Sequence, residues 1–174
     1  MGESGTAESN VDLAARLRRV EDEREIRRLM DLVWLLSDAG PTAALAELYT
    51  DDCVIDLGRL VRPDADTVVE GLETVRARYS APGASAREGR SHHFAGGPVA
   101  IVIDGDEAQA VSYALNSGLA DGAAKIGVTG FNFFRLSRRD GRWRIARRAA
   151  RRLGDADVLE LFRPIVGRLL ADLA

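Results

Sequence analysis

His92 and His93 stand side by side and are the only histidines in the chain. Histidine is the side chain whose ordinary charge change falls near neutral pH, which suits it to giving or taking a proton during catalysis. A lone aspartate, Asp38, follows the apolar stretch Leu32–Leu36. Near a helix C-terminus the backbone dipole disfavours a carboxylate, so an aspartate there needs a compensating partner. Together these residues suggest a proton-transfer pair. Side chains alternate across a strand, so one of the two histidines at most faces a given site. The plain alternatives are a structural histidine and a solvent-facing aspartate.

Composition narrows the chemistry such a pair could serve. A chain of 174 residues, 46% apolar and 29% charged, is enough for one domain with a real core. The net charge of −3 does not call for a polyanion partner, so neither nucleic acid nor a membrane surface is expected. Cys53 is the single cysteine, which rules out an internal disulfide and fits a reducing compartment. No tetrahedral set of cysteines and histidines is present, and no metal or other cofactor is expected. No segment approaches the roughly 20 apolar residues of a membrane span, and the first residues do not read as a signal peptide. The expectation is a cytoplasmic protein. Its Arg-, Ala- and Gly-rich wording is of the kind that GC-rich bacterial genomes encode.

The elements that must position the candidate pair follow from periodicity. Residues 1–10 read as a lead-in without structure. From Val11 to Ala39 apolar residues recur at helical spacing up to Gly40-Pro41, a strong stop. A short helix over Thr42–Tyr49 leads to a strand over Cys53–Leu57, and Gly71–Ser80 reads as another amphipathic helix. Ala81–Gly89 reads as a loop, and the histidines stand at the mouth of a strand over Phe94–Asp104. Asp104-Gly105-Asp106, Asp121-Gly122 and Asp140-Gly141 then punctuate three long strands, ending near Leu153. Residues 154–174 form an amphipathic tail helix that covers the domain or meets a partner subunit. Helices followed by a meandering sheet predict an α+β domain, with helices on one sheet face and an apolar cavity at its open end.

Several strings resemble, in order, the SnoaL-like branch of the nuclear transport factor 2-like superfamily. They are EIRRLM from Glu25, AELYTDDCVID from Ala46, EGLETVR from Glu70, the histidine pair, VAIVIDGDEA from Val99 and RDGRWRIARR from Arg139. The resemblance spans Val11 to Leu153. It implies a curved antiparallel sheet wrapped around the N-terminal helix, a cone-shaped, cystatin-like α+β barrel with an apolar cavity. It also implies a cofactor-independent lyase or cyclase in which Asp38 orients His93, and His93 moves the proton. Arg148 matches an arginine that helps hold a leaving group, and Asn132 falls at a pocket-lining position. The substrate-contact candidates are Asn132, Tyr49, Trp34, Tyr113 and His92. Two departures stand out: Gly97 replaces an asparagine, and Val33 replaces a tyrosine or lysine that serves as proton donor. Tyr49 and Tyr113 are the alternative hydroxyls.

The expected reaction is dehydration, β-elimination or a polyketide-type cyclisation of a small apolar or polyketide-like molecule. A ligand-binding or scaffold module of the same fold is the second reading. Epoxide hydrolysis is the third, and it needs an Asp-Arg-Asp set that is not evident on the sheet. The nine arginines between Arg135 and Arg152 lack interleaved aromatics beyond Trp143, so they read as a solvated sheet face or a subunit interface rather than a nucleic-acid site. Asp51-Asp52 and Asp104-x-Asp106 read as turn residues, not metal ligands. A homodimer or homotrimer is expected.

Overall fold

The computed structural model describes residues 4–39, 41–58, 68–81, 91–94 and 100–173; the side chains of 4–9, 39 and 91–94 lie outside that description. Helix α1, Ser4–Ala39, runs 36 residues, about 54 Å at 1.5 Å per residue. It starts at Ser4, so residues 4–10 continue the helix rather than forming a separate lead-in. The expected short helix is present as a 3-10 helix, Thr42–Leu48. Next come β1 (Tyr49–Asp56), β2 (Val68–Glu70), α2 (Leu72–Ser80), β3 (Ser91–Phe94), β4 (Ala100–Asp104), β5 (Glu107–Ala120), β6 (Ala123–Arg139), β7 (Arg142–Arg152) and α3 (Val158–Ala171). Periodicity did not reveal β2 or β3, which are too short to show an alternating pattern.

The strands form one seven-stranded sheet in the order β2-β1-β7-β6-β5-β3, with β4 also paired to β5. All pairs are antiparallel except β1 with β7, which is parallel. The β5–β6 and β6–β7 hairpins turn through Asp121-Gly122 and Asp140-Gly141. All four residues have positive φ, as type I′ turns require. Asp51 and Asp52, expected at a turn, lie within β1 instead.

Each sheet face has its own core. On the inner face, Ile26, Met30, Val33 and Trp34 of α1 meet Ala110, Phe134, Leu136, Trp143 and Ile145. On the outer face, α3 seats Ile165, Phe162 and Leu169 against Val111, Phe133, Ala149 and Phe131. Phe162 meets Phe131 and Phe133 edge to face at 5.1 and 4.9 Å between centroids, a favoured aromatic geometry. The tail helix therefore packs on the sheet face opposite α1, which corrects the expectation that the helices share one face. The two-face pattern of β5 and β6 demands this cover, since each strand carries apolar side chains at both odd and even positions.

An irregularity in β7 decides which arginine reaches α1. Leu136 pairs with Ile145 but Arg135 pairs with Arg147, so Ala146 is the extra residue of a bulge. A bulge reverses the inside–outside alternation beyond it. Trp143 and Ile145 face α1 before the bulge, and Arg148 faces it afterwards, while Arg147 stays exposed opposite Arg135.

Candidate functional site

The inner face carries a small polar patch in an apolar setting. Arg148 donates from Nε and Nη2 to Asn132 Oδ1, at 3.2 and 3.1 Å. Its guanidinium lies over the Trp34 ring, 4.7 Å from the centroid, a cation–π contact that holds the charge in place. Trp34 in turn meets Phe134 edge-on at 6.3 Å. Asn132 is buried on β6, and Ser112 of β5 stands directly opposite it, also buried.

Tyr49 begins β1 and is 1% exposed. Its hydroxyl makes no hydrogen bond of good geometry, although Tyr79 and Arg148 are near enough to influence its ionisation. Burial pushes its phenol far above the ordinary range, Tyr79 adds to that, and Arg148 opposes it. Tyr49 therefore stays protonated and remains available as a donor.

The histidines lie in β3, a strand of their own paired with β5, not at the mouth of a strand over 94–104. His93 is opposite Asn116 and His92 opposite Ser117. Asn116 shares the face of Ser112 by alternation. The two imidazoles fall outside the described side chains. Helix α1 packs against β3, and Asp38 is half-buried on that helix, one turn past Trp34. The backbone thus brings the aspartate-bearing helix and the histidine strand together.

One candidate belongs elsewhere. Tyr113 is 54% exposed and tilts against Phe131 at 5.6 Å, on the outer face. It is one residue out of phase with Ser112, so strand alternation carries it away from the site. Val33 is fully buried and supplies no donor. Sequence reading missed Ser112 and Tyr79. Ser112 could have been found only from the β5–β6 register, and Tyr79 only from the docking of α2.

Other arginines of the run have structural partners. Arg138 pairs with Asp22 and Asp106 and lies over Trp143, while Arg151 bridges Asp56 and Asp157, each at 2.7 Å. A cleft of about 340 Å³ opens between α3 and the outer face, lined by Asp104, Glu107, Arg135 and Arg168 among others. It is on the far side of the sheet from Arg148 and has no part in that patch. Among the described residues no group of three or more metal-binding side chains occurs, and no helix is long and apolar enough to cross a membrane.

Comparisons with known proteins place this geometry in context. An NTF2-like protein with a cystatin-like fold from Novosphingobium aromaticivorans aligns with a TM-score of 0.75 and 27% identity, over 87% of this chain and 95% of that one. A single-residue variant of a protein of unknown function from Mycobacterium tuberculosis gives 0.65 and 25%, over 88% and 89%. A protein provisionally named an aromatic ring hydroxylase, also from N. aromaticivorans, gives 0.63 and 25%, over 77% and 90%. No curated protein matches the chain. The family model described as a SnoaL-like domain matches residues 18–149. The α+β fold, the helix-lined inner face and this match agree: the chain belongs to the SnoaL-like family of the NTF2-like superfamily.

Proposed function

We propose that this protein is a cofactor-independent lyase or cyclase that moves one proton on a small, largely apolar molecule at the inner face of its sheet. The observation that carries the proposal is the Arg148–Asn132–Trp34 arrangement. It presents a fixed positive charge to an oxygen amid apolar side chains, on the face packed by the Asp38 helix. In this reading His93 takes a proton from the carbon beside a carbonyl, and Asp38 orients the imidazole and stabilises its cation. Negative charge moves to the carbonyl oxygen, where Arg148 meets it and Asn132 keeps the guanidinium in place. In a dehydration the C–O bond then breaks, and the proton held by His93 leaves with the hydroxyl as water. The Tyr49 hydroxyl, which burial keeps protonated, donates a hydrogen bond to the departing oxygen. A small aromatic substrate is in keeping with the provisional name of one structural relative.

The test is turnover of a panel of β-hydroxy and β-halo aryl ketones, followed by NMR in heavy water. His93→Gln and Asp38→Asn should each lower the rate by about 10²–10⁴, the usual worth of general acid–base catalysis, with unchanged circular dichroism. Wild-type rates in His93→Gln would overturn the proposal. Epoxide hydrolysis is less well supported, because among the described residues Arg148 contacts an amide and an indole ring, where an Asp-Arg-Asp set would need a carboxylate.

A further inference from the structure

We infer that the molecule bound at this site is already an anion, and that a planar oxyanion such as a carboxylate docks on Arg148 above Trp34. The inference rests on the proposal that substrate occupies the Arg148 patch, and it goes further by adding a carboxylate to that substrate: the carboxylate takes two of the guanidinium N–H groups that Asn132 leaves free, and the third remains for the reacting carbonyl oxygen.

Two other half-buried arginines, Arg138 and Arg151, are each paired with carboxylates: Arg138 with those of Asp22 and Asp106, and Arg151 with those of Asp56 and Asp157. Each guanidinium is thereby neutralised from within. Arg148 is half-buried as well, yet its partners are a neutral amide and an indole face. Among the described residues no ion pair reaches it, and its contacts are with Asn132 and Trp34. A partly desolvated charge is costly unless something pairs with it, so this one is left for a ligand to complete.

The donors point the same way. Nε and Nη2 are engaged by Asn132, which leaves three of the five guanidinium N–H groups for an incoming acceptor. A planar fork of this kind matches a carboxylate in a two-point geometry. Two buried hydroxyls without hydrogen-bond partners border the patch: Tyr49, whose ionisation Arg148 influences, and Ser112, opposite Asn132. Both can donate to an oxygen-rich group, and both gain by doing so. A neutral carbonyl would accept one such bond but leave the guanidinium uncompensated. An anion satisfies both requirements.

The chain has two tryptophans, Trp34 and Trp143, so the indole N–H resonances of ¹⁵N-labelled protein report on the site with an internal control. Titration with benzoate should move the Trp34 resonance saturably and leave that of Trp143, which is hydrogen-bonded to Asp22, in place. Benzamide, the uncharged analogue of the same shape, should bind at least tenfold more weakly. In Arg148→Gln the preference for benzoate should vanish, whereas Arg148→Lys, which keeps the charge without the fork, should retain part of it. Equal binding of the two ligands to the wild type would overturn the inference, as would no response to benzoate at Trp34. The wild-type comparison stands even if a variant fails to fold. Loss of the charge preference alongside His93-dependent turnover would remove this inference and leave the proposed function. An Arg148-dependent preference in a protein that turns nothing over would do the reverse.

Discussion

Replacing Tyr49 by phenylalanine should make the protein more stable and a poorer catalyst. The side chain is 1% exposed and its hydroxyl has no hydrogen-bond partner of good geometry. A buried polar group left unsatisfied costs about 1–3 kcal/mol, and removing it leaves the ring packed against the same apolar neighbours. Allowing a few tenths of a kcal/mol for the small void, the expected gain is about 1 kcal/mol. For a domain of this size that raises Tm by about 2–4 °C. Urea titration followed by tryptophan fluorescence measures the gain, and the ketone panel measures the loss of turnover. The pH dependence supplies a second check with a definite sign. Burial raises the phenol of Tyr49 above its ordinary value of 10.0. The unfolded chain therefore releases this proton as pH rises through about 10 while the folded protein holds it, so wild-type stability falls there. Tyr49→Phe should lack that part of the alkaline decline. A variant destabilised by 1 kcal/mol or more would refute the reasoning. It would mean that the hydroxyl is bound by Arg148 or Tyr79 in a hydrogen bond that contributes to folding.

Three further outcomes follow from the fold. Asp22 is 7% exposed and serves both Arg138 and the Trp143 indole N–H, so Asp22→Ala should cost about 3 kcal/mol in urea unfolding; a loss below 1 kcal/mol would contradict that role. Burial pushes the Asp56 carboxyl up, but Arg151 and the Gly58 N–H outweigh it and hold it below its ordinary range. Its contribution to stability is thus present above the unfolded value near 4 and disappears as pH falls through the lower folded value. Asp56→Asn should flatten the acid limb of the stability profile, and an unchanged limb would count against the Arg151 bridge. A Cβ at Gly130 would come within 2.0 Å of the Arg151 carbonyl. Gly130→Ala should therefore cost about 3 kcal/mol or more, read from the thermal midpoint, and wild-type stability would show that the two strands can separate there freely.

Much of the domain was legible before any coordinates. The long N-terminal helix, the three β-hairpin signals and the amphipathic tail all follow from apolar spacing and Asp-Gly turns, because these are local properties of the backbone. The element order and the strings from Glu25 to Arg148 carried the family resemblance, which the match over residues 18–149 bears out. Short elements escaped: β2 and β3 span three and four residues, and strands this brief exist because their neighbours supply hydrogen bonds.

The site divides along the same line. Residue types alone marked the histidine pair, Asp38 and the arginine run as chemically interesting. The family resemblance singled out Arg148 within that run, and the tertiary structure shows how it turns inward. Counting alternate residues from Trp143 and Ile145 selects Arg147, and only the bulge at Ala146 shifts the phase so that Arg148 meets Trp34. The two tyrosine candidates looked equivalent until the β5–β6 register sent Tyr113 to the outer face and the start of β1 buried Tyr49. The sequence by itself determined the elements and the chemical groups available, since both are written in local composition. Tertiary structure decided which groups share a face, because bulges and strand register arise between strands, where no single segment can encode them.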